Sequence, residues 1–284
     1  MFKFNPFRPN EIVHPGMFAG RYNELVALEK TLFQTKHGNP THFLIDGERG
    51  IGKSSLLLHL TSTAKGEVTT LAQSQNFNFV TVCVCLDSSH TYADITRGIA
   101  TELRRQISAR EQLKEFAKST WDFVKKFELG GVRYRDEKGE GLKDTELVED
   151  LTFAIAESLR NLGPEVDGVV ILIDEADKAP ASANLGAFVK LLTERLKLRG
   201  CDRVCVGLAG LTDLRDKLRE SHESSLRLFK VLALDPLSAD AARIGDGQRK
   251  KWFRRDDYPR SRGEFGIHYR RLSAFYSAVC FLCI

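Results

Sequence analysis

Five short apolar runs are spaced along the chain, and between them lie longer stretches in which apolar residues recur every three or four positions. The short runs, Phe43 to Asp46, Phe79 to Leu86, Val169 to Ile173, Arg203 to Leu208 and Val231 to Leu234, read as β-strands. Val169-Val170-Ile171-Leu172-Ile173 is apolar at every position, the pattern of a strand covered on both faces in a parallel sheet. The periodic stretches predict helices over Arg21 to Phe33, Lys53 to Thr63, Tyr92 to Ile107, Glu111 to Lys126, Asp144 to Leu162, Asn184 to Leu198 and Thr212 to Glu220. Strands alternating with helices build a parallel sheet whose crossovers pack on both sides. The expected fold is therefore α/β: a five-stranded, mostly parallel sheet with helices on both faces. Glu128 to Gly141 is richer in glycine and charge, and Val132-Arg133-Tyr134-Arg135 alternates, so a hairpin or a surface loop is expected there.

The junction between the first strand and its helix carries the chemistry. Gly47-Glu48-Arg49-Gly50-Ile51-Gly52-Lys53-Ser54 fits the pattern G-x-x-x-x-G-K-[ST]. Glycines at these positions let successive backbone N–H groups turn inward around phosphate oxygens, and the following helix adds its positive N-terminal end. Lys53 is placed to reach the β- and γ-phosphates of a nucleotide, and the Ser54 hydroxyl to ligate Mg²⁺. Ser55 follows in the same first turn. A second half of the site stands at the end of the apolar run, in Asp174-Glu175-Ala176-Asp177. Ligands of open α/β sheets gather beyond the carboxyl ends of the strands. Asp174 is therefore expected in the Mg²⁺ shell and Glu175 as the residue that orients or deprotonates an attacking water.

Composition narrows the setting. The 284 residues are 42% hydrophobic, enough for one large α/β core with a small appendage. No apolar run approaches the length of a membrane span, and Met1 to Pro9 lacks the form of a signal peptide, so a cytoplasmic protein without a membrane partner is expected. Cysteines stand at 83, 85, 201, 205, 280 and 283, four of them in strand-like runs, which suits reduced, buried thiols rather than a disulfide framework. The net charge is +4. Its distribution is uneven: Arg243 to Ile284 holds ten Lys and Arg against four Asp and Glu, and the preceding 242 residues hold 32 against 34. A core at −2 gives no ground for inferring a long-range pull toward a nucleic-acid backbone, so its charge does not support a nucleic-acid partner.

With these motifs in place the chain resembles the AAA+ and STAND branch of P-loop ATPases, and within it the origin-recognition-like ATPase domains of bacteria. The resemblance runs from about Asn5 to Arg243. Phe18-Ala19-Gly20-Arg21-Tyr22-Asn23-Glu24-Leu25 is similar to the F-x-G-R-x-x-E-L box that precedes the first strand in that group. The resemblance implies that Phe18, Gly20 and Arg21 border the adenine; a helix-start ion pair is the plain alternative for Arg21 and Glu24. Leu226-Arg227-Leu228-Phe229 and Leu234-Asp235-Pro236-Leu237-Ser238 resemble the arginine-bearing segment and the approach to the lid. Arg227 would then act on the γ-phosphate region, often from a neighbouring subunit, which implies self-association. The implied organisation is an N-terminal segment with its adenine-side helix over 1–40, a P-loop ATPase core over 41–243 and an irregular basic tail over 244–284. ATP and Mg²⁺ are the implied ligands.

Two departures limit what the resemblance implies. Relatives that hydrolyse ATP briskly carry a polar side chain at the end of the fourth strand, whereas here that place reads Gly207-Leu208-Ala209-Gly210, with Thr212 a substitute beyond it. After Ala242 the helical lid is not recognisable, and an Arg-rich stretch with scattered aromatics takes its place. Reread from the second base of each triplet, with codons chosen freely, Tyr269 to Ile284 can be made to resemble a lid helix. A one-base slip between Ala242 and Lys251 is one reading; a basic tail touching nucleic acid through Arg254, Arg255, Arg260 and neighbouring aromatics is the other. The expected function is a Mg-ATP-dependent switch with slow hydrolysis at best. The alternative is a nucleic-acid-associated initiator or loader-like module that ends before a winged-helix domain.

Overall fold

Apolar residues on alternate sides of the same strands divide the core into two layers. In a computed structural model that describes residues 12, 13, 15, 18, 20–72, 75–110 and 144–237, the elements are α1 (Tyr22–Lys36), β1 (His42–Gly47), α2 (Lys53–Ala64), β2 (Phe79–Cys85), α3 (Tyr92–Ser108), α4 (Asp144–Leu162), β3 (Gly168–Asp174), α5 (Leu185–Leu198), β4 (Val204–Gly210), α6 (Leu214–Ser221) and β5 (Phe229–Leu234). The strands form one sheet in the order β2-β3-β4-β1-β5, and every neighbouring pair is parallel. Phe43, Ile45, Val170, Leu172 and Cys205 pack with α1 and α2 on one face. Leu44, Val169, Ile171, Ile173, Val206 and Leu208 pack with α3, α4 and α5 on the other. Period-two side-chain alternation thus feeds both layers from the same residues, which is why the runs contain no polar face.

Two contacts set how β1 meets β4. A Cβ at Gly207 would stand 2.1 Å from the Phe43 ring, so only glycine lets that ring lie flat on the neighbouring strand. The His42 ring accepts a hydrogen bond at Nδ1 from the Val206 amide at 3.1 Å, and burial holds its pKa down at about 4, keeping the imidazole neutral and able to accept.

The expected elements that fall on described residues are present, with differences at their ends. Each observed strand except β2 is longer than its apolar run. β1 begins at His42 and reaches Gly47, β3 runs from Gly168 into Asp174, β4 reaches Gly210 and β5 begins at Phe229. The ladder continues through polar and glycine residues because its backbone groups pair whatever the side chain. The sheet is wholly parallel among the described strands, beyond the expected mostly parallel one. The helix over Glu111 to Lys126, the loop over Glu128 to Gly141 and the basic tail lie outside the described residues. Among the described residues, Cys83, Cys85, Cys201 and Cys205 form no disulfide. Burial pushes the Cys83 thiol up to about 11 and the Cys205 thiol up to about 12, so both stay protonated and unreactive. No helix among the described residues is long and apolar enough to cross a membrane.

Candidate functional site

The strand order brings the ends of β1, β4 and β5 side by side, with Asp46 beside Gly210 and Gly47 beside Leu234. From Gly47 the backbone turns through Gly50 and Gly52, at φ +78° and +103°, and enters α2. Both glycines sit in the left-handed region that costs other residues strain, and a Cβ at either would meet no atom within 4 Å. Open space therefore borders the loop at both glycines. No side chain caps α2, whereas α3 is closed by a capping box of Thr91 and Asp94. The first N–H groups of α2 thus keep their capacity for an anion.

Lys53 and Ser54 begin this helix and define its chemistry. The Lys53 ammonium donates to the carbonyl oxygens of Gly47 and Glu48, at 2.8 Å each, so it already folds back over the loop. Burial lowers its pKa, opposed by the charges of Asp174, Asp177, Asp46 and Glu175. The Ser54 hydroxyl donates to Asp174 Oδ2 at 2.8 Å across 120 positions of sequence. Burial raises the Asp174 carboxyl above the usual carboxylate range, opposed by the hydrogen bonds from Ser54 and from the Glu175 amide. A hydroxyl and a carboxylate at this distance suit a hard, oxygen-ligated cation. Among the described residues, no set of three His, Cys, Asp or Glu side chains could hold a metal alone. Mg²⁺ generally binds through one or two protein oxygens together with substrate phosphates.

Glu175 stands just past β3 in the left-handed region, at φ 52°, a strained conformation of the kind found at functional turns. Its carboxylate pairs with Lys178 on the next turn, and both side chains are substantially exposed. Asp177 is buried and serves the frame: its Oδ1 accepts the Leu211 amide at 2.9 Å, tying the end of β3 to the exit of β4.

The remaining expected residues divide. Arg21, left-handed at φ 60° after Gly20 at φ 79°, pairs with Glu24 at 3.2 Å and donates to the Ile51 carbonyl at 3.1 Å. Its guanidinium braces the phosphate loop, and the ion pair with Glu24 is present as well. Phe18 packs at 5.3 Å from the His59 ring on α2. Ser55 is buried, and its hydroxyl accepts the Val13 amide at 3.0 Å, so it anchors the N-terminal segment to α2. Glu48, Arg49 and Gly50 are exposed along the loop, and Ile51 packs against the α1–α2 side of the core. Arg227 is exposed on the turn Ser225–Leu228, just ahead of β5. His42 pairs with Phe229 and Gly47 with Leu234, so Arg227 lies at the opposite end of the sheet from the phosphate loop. At about 3.3 Å per residue the separation is on the order of 20 Å, more than an arginine side chain spans.

One pair escaped sequence reasoning. Arg215, on α6, donates through Nη2 to Asp46 Oδ1 at 2.8 Å, and its Nε lies 2.5 Å from Asp46 Oδ2. Asp46 is the residue before the phosphate loop and is almost fully buried. The only sequence signal was an acid in the last positions of an apolar strand.

This architecture recurs in solved structures. A Cdc6p from Pyrobaculum aerophilum superposes with a TM-score of 0.52 at 16% identity, covering 87% of this chain and 53% of its own. The ORC2 protein of Aeropyrum pernix, in ADPNP-ADP complexes, gives a TM-score of 0.51 at 14% identity, with 86% and 54% covered. The chain thus spans about half the length of these structures, and at such identity the likeness is one of fold. No curated protein matches the sequence. The family model described as AAA ATPase domain matches residues 17–201, a span that contains the glycine loop, Lys53, Ser54, Asp174 and Glu175 in the arrangement just described, and the chain belongs to that family.

Proposed function

We propose that the chain binds Mg-ATP in the loop of Gly47 to Ser54 and works as a nucleotide-dependent switch with slow hydrolysis. The observation that carries this reading is the 2.8 Å hydrogen bond between Ser54 and Asp174. It joins the two halves of the motif at the start of an uncapped helix, beside the Lys53 ammonium and the glycine loop. ATP phosphates would lie on the loop amides and the end of α2, with Lys53 leaving the Gly47 and Glu48 carbonyls for the β- and γ-oxygens. Ser54 and Asp174 would hold Mg²⁺, which when bound supplies positive charge to the phosphates. Glu175 would orient the attacking water and accept its proton. Slow turnover is supported by the end of β4, where Gly207-Leu208-Ala209-Gly210 offers no polar side chain and Thr212 is exposed beyond it.

Arg227 enters this reading only between copies. Its place at the far end of the sheet keeps it from its own nucleotide, so a contribution to phosphoryl transfer would come from a second copy. Titration calorimetry with ATP, with and without Mg²⁺, tests the central assignment. Binding is expected to be roughly tenfold or more tighter with Mg²⁺, because the cation relieves the charge of Asp174 against the phosphates. Absence of heat under both conditions would remove the proposal.

A further inference from the structure

Beside the phosphate loop lies a cavity of about 280 Å³, lined by Asp46, Gly47 and Glu48, by Thr212 and Arg215, and by the end of β5. A buried carboxylate at this place conflicts with the loop's chemistry. The Asp46 side chain is 3% exposed and immediately precedes the loop. At an effective dielectric near 20, an uncompensated charge there would weaken binding of an anionic unit about 10 Å away on the order of tenfold. The Arg215 guanidinium lies against both Asp46 oxygens and cancels that charge with a planar group matched to a carboxylate.

The helix that carries Arg215 is itself held at the site. Lys217, two residues on, donates to the Asp177 carbonyl and pairs with Asp213 at 2.9 Å. The Asp177 carboxylate in turn accepts the Leu211 amide. The segment from Leu211 to Lys217 therefore grips both motif ends, Asp46 at β1 and Asp177 after β3.

We propose that Arg215 is a positioning residue that sets the charge preference of the site: by neutralising Asp46 it lets the phosphate loop favour the more highly charged triphosphate over the diphosphate. This rests on the nucleotide-site reading above. Competition binding with ATP and ADP, read as the ratio of the two affinities, tests it on four proteins: native, Arg215→Met, Asp46→Asn and the double variant. In Arg215→Met the ATP:ADP ratio falls roughly tenfold, because the added phosphate meets the exposed field of Asp46. In Asp46→Asn, which leaves Arg215 in excess, the ratio rises. In the double variant it returns to within about threefold of native, since the charges are again balanced.

Arg215→Met leaves a buried, unpaired carboxylate and is the variant most at risk of not folding; Asp46→Asn and the double variant then decide alone. If the ratio is the same in every folded variant, the inference is wrong. It is equally overturned if the ratio falls in Arg215→Met and stays low in the double variant, which would make Arg215 a direct phosphate ligand. If the native protein binds neither nucleotide, the failure belongs to the nucleotide-site reading instead.

Discussion

Replacing Lys53 by alanine is expected to weaken ATP binding by at least about a hundredfold, equivalent to roughly 3 kcal/mol, while the protein remains folded. The expectation follows from the charges that surround the ammonium. Asp174, Asp177, Asp46 and Glu175 all act on Lys53, and without it a polyanion would meet Asp174 and its acidic neighbours with no ammonium on the loop, only Asp46 being offset by Arg215. Arg215 is committed to Asp46 and cannot stand in. Folding should suffer little, because Lys53 is partly exposed and one of its two hydrogen bonds goes to the Glu48 carbonyl on the exposed part of the loop, which water can satisfy. Calorimetric titration beside a thermal melt separates the two effects. A variant that keeps native affinity would show that the nucleotide, if bound, lies elsewhere.

The second large effect belongs to Glu175. Glu175→Gln keeps the size of the side chain and its hydrogen-bonding capacity but cannot take a proton. Single-turnover hydrolysis is expected to slow on the order of a hundredfold or more, with ATP affinity within a few-fold of native. The Lys178 pairing does not argue against the role. The two side chains are three residues apart and substantially exposed, and such pairs contribute about 1 kcal/mol or less, so Glu175 can leave its partner to meet a water. Its backbone is left-handed at φ 52°, so the chain leaves the extended strand conformation at the residue after Asp174. Equal single-turnover rates in the two proteins would take the role of base away from Glu175.

The features legible in the sequence share a physical origin. Parallel strands covered on both sides are apolar on both faces, so β3 stood out as an unbroken run, and β2 and β4 as runs interrupted only by Thr81 and by Gly207 after Arg203. The glycine loop was legible because its geometry demands glycine at fixed spacing. The rule that sites lie at the carboxyl ends of strands pointed Ser54 and Asp174 to one place, and the structure brings them to 2.8 Å. Strand order itself left no local trace. Asp46 meets Arg215 across 169 positions only because β4 lies next to β1, and neither residue belongs to a motif. Ser55 illustrates the opposite case: adjacent to Ser54 in sequence, it is rotated by the helix to meet Val13. Arg227 needed the register of β5 against β1 before its distance from the loop could be known.

Hydrogen–deuterium exchange on the native protein, with and without Mg-ATP, tests most directly whether the loop is where nucleotide binds. Exchange is predicted to slow in peptides spanning Gly47 to Ser54 and Asp174 to Lys178, because phosphate oxygens engage the loop amides and the bound cation fixes the turn after β3. Unchanged exchange in the loop while ATP is demonstrably bound, or slowing confined to another part of the chain, would contradict it.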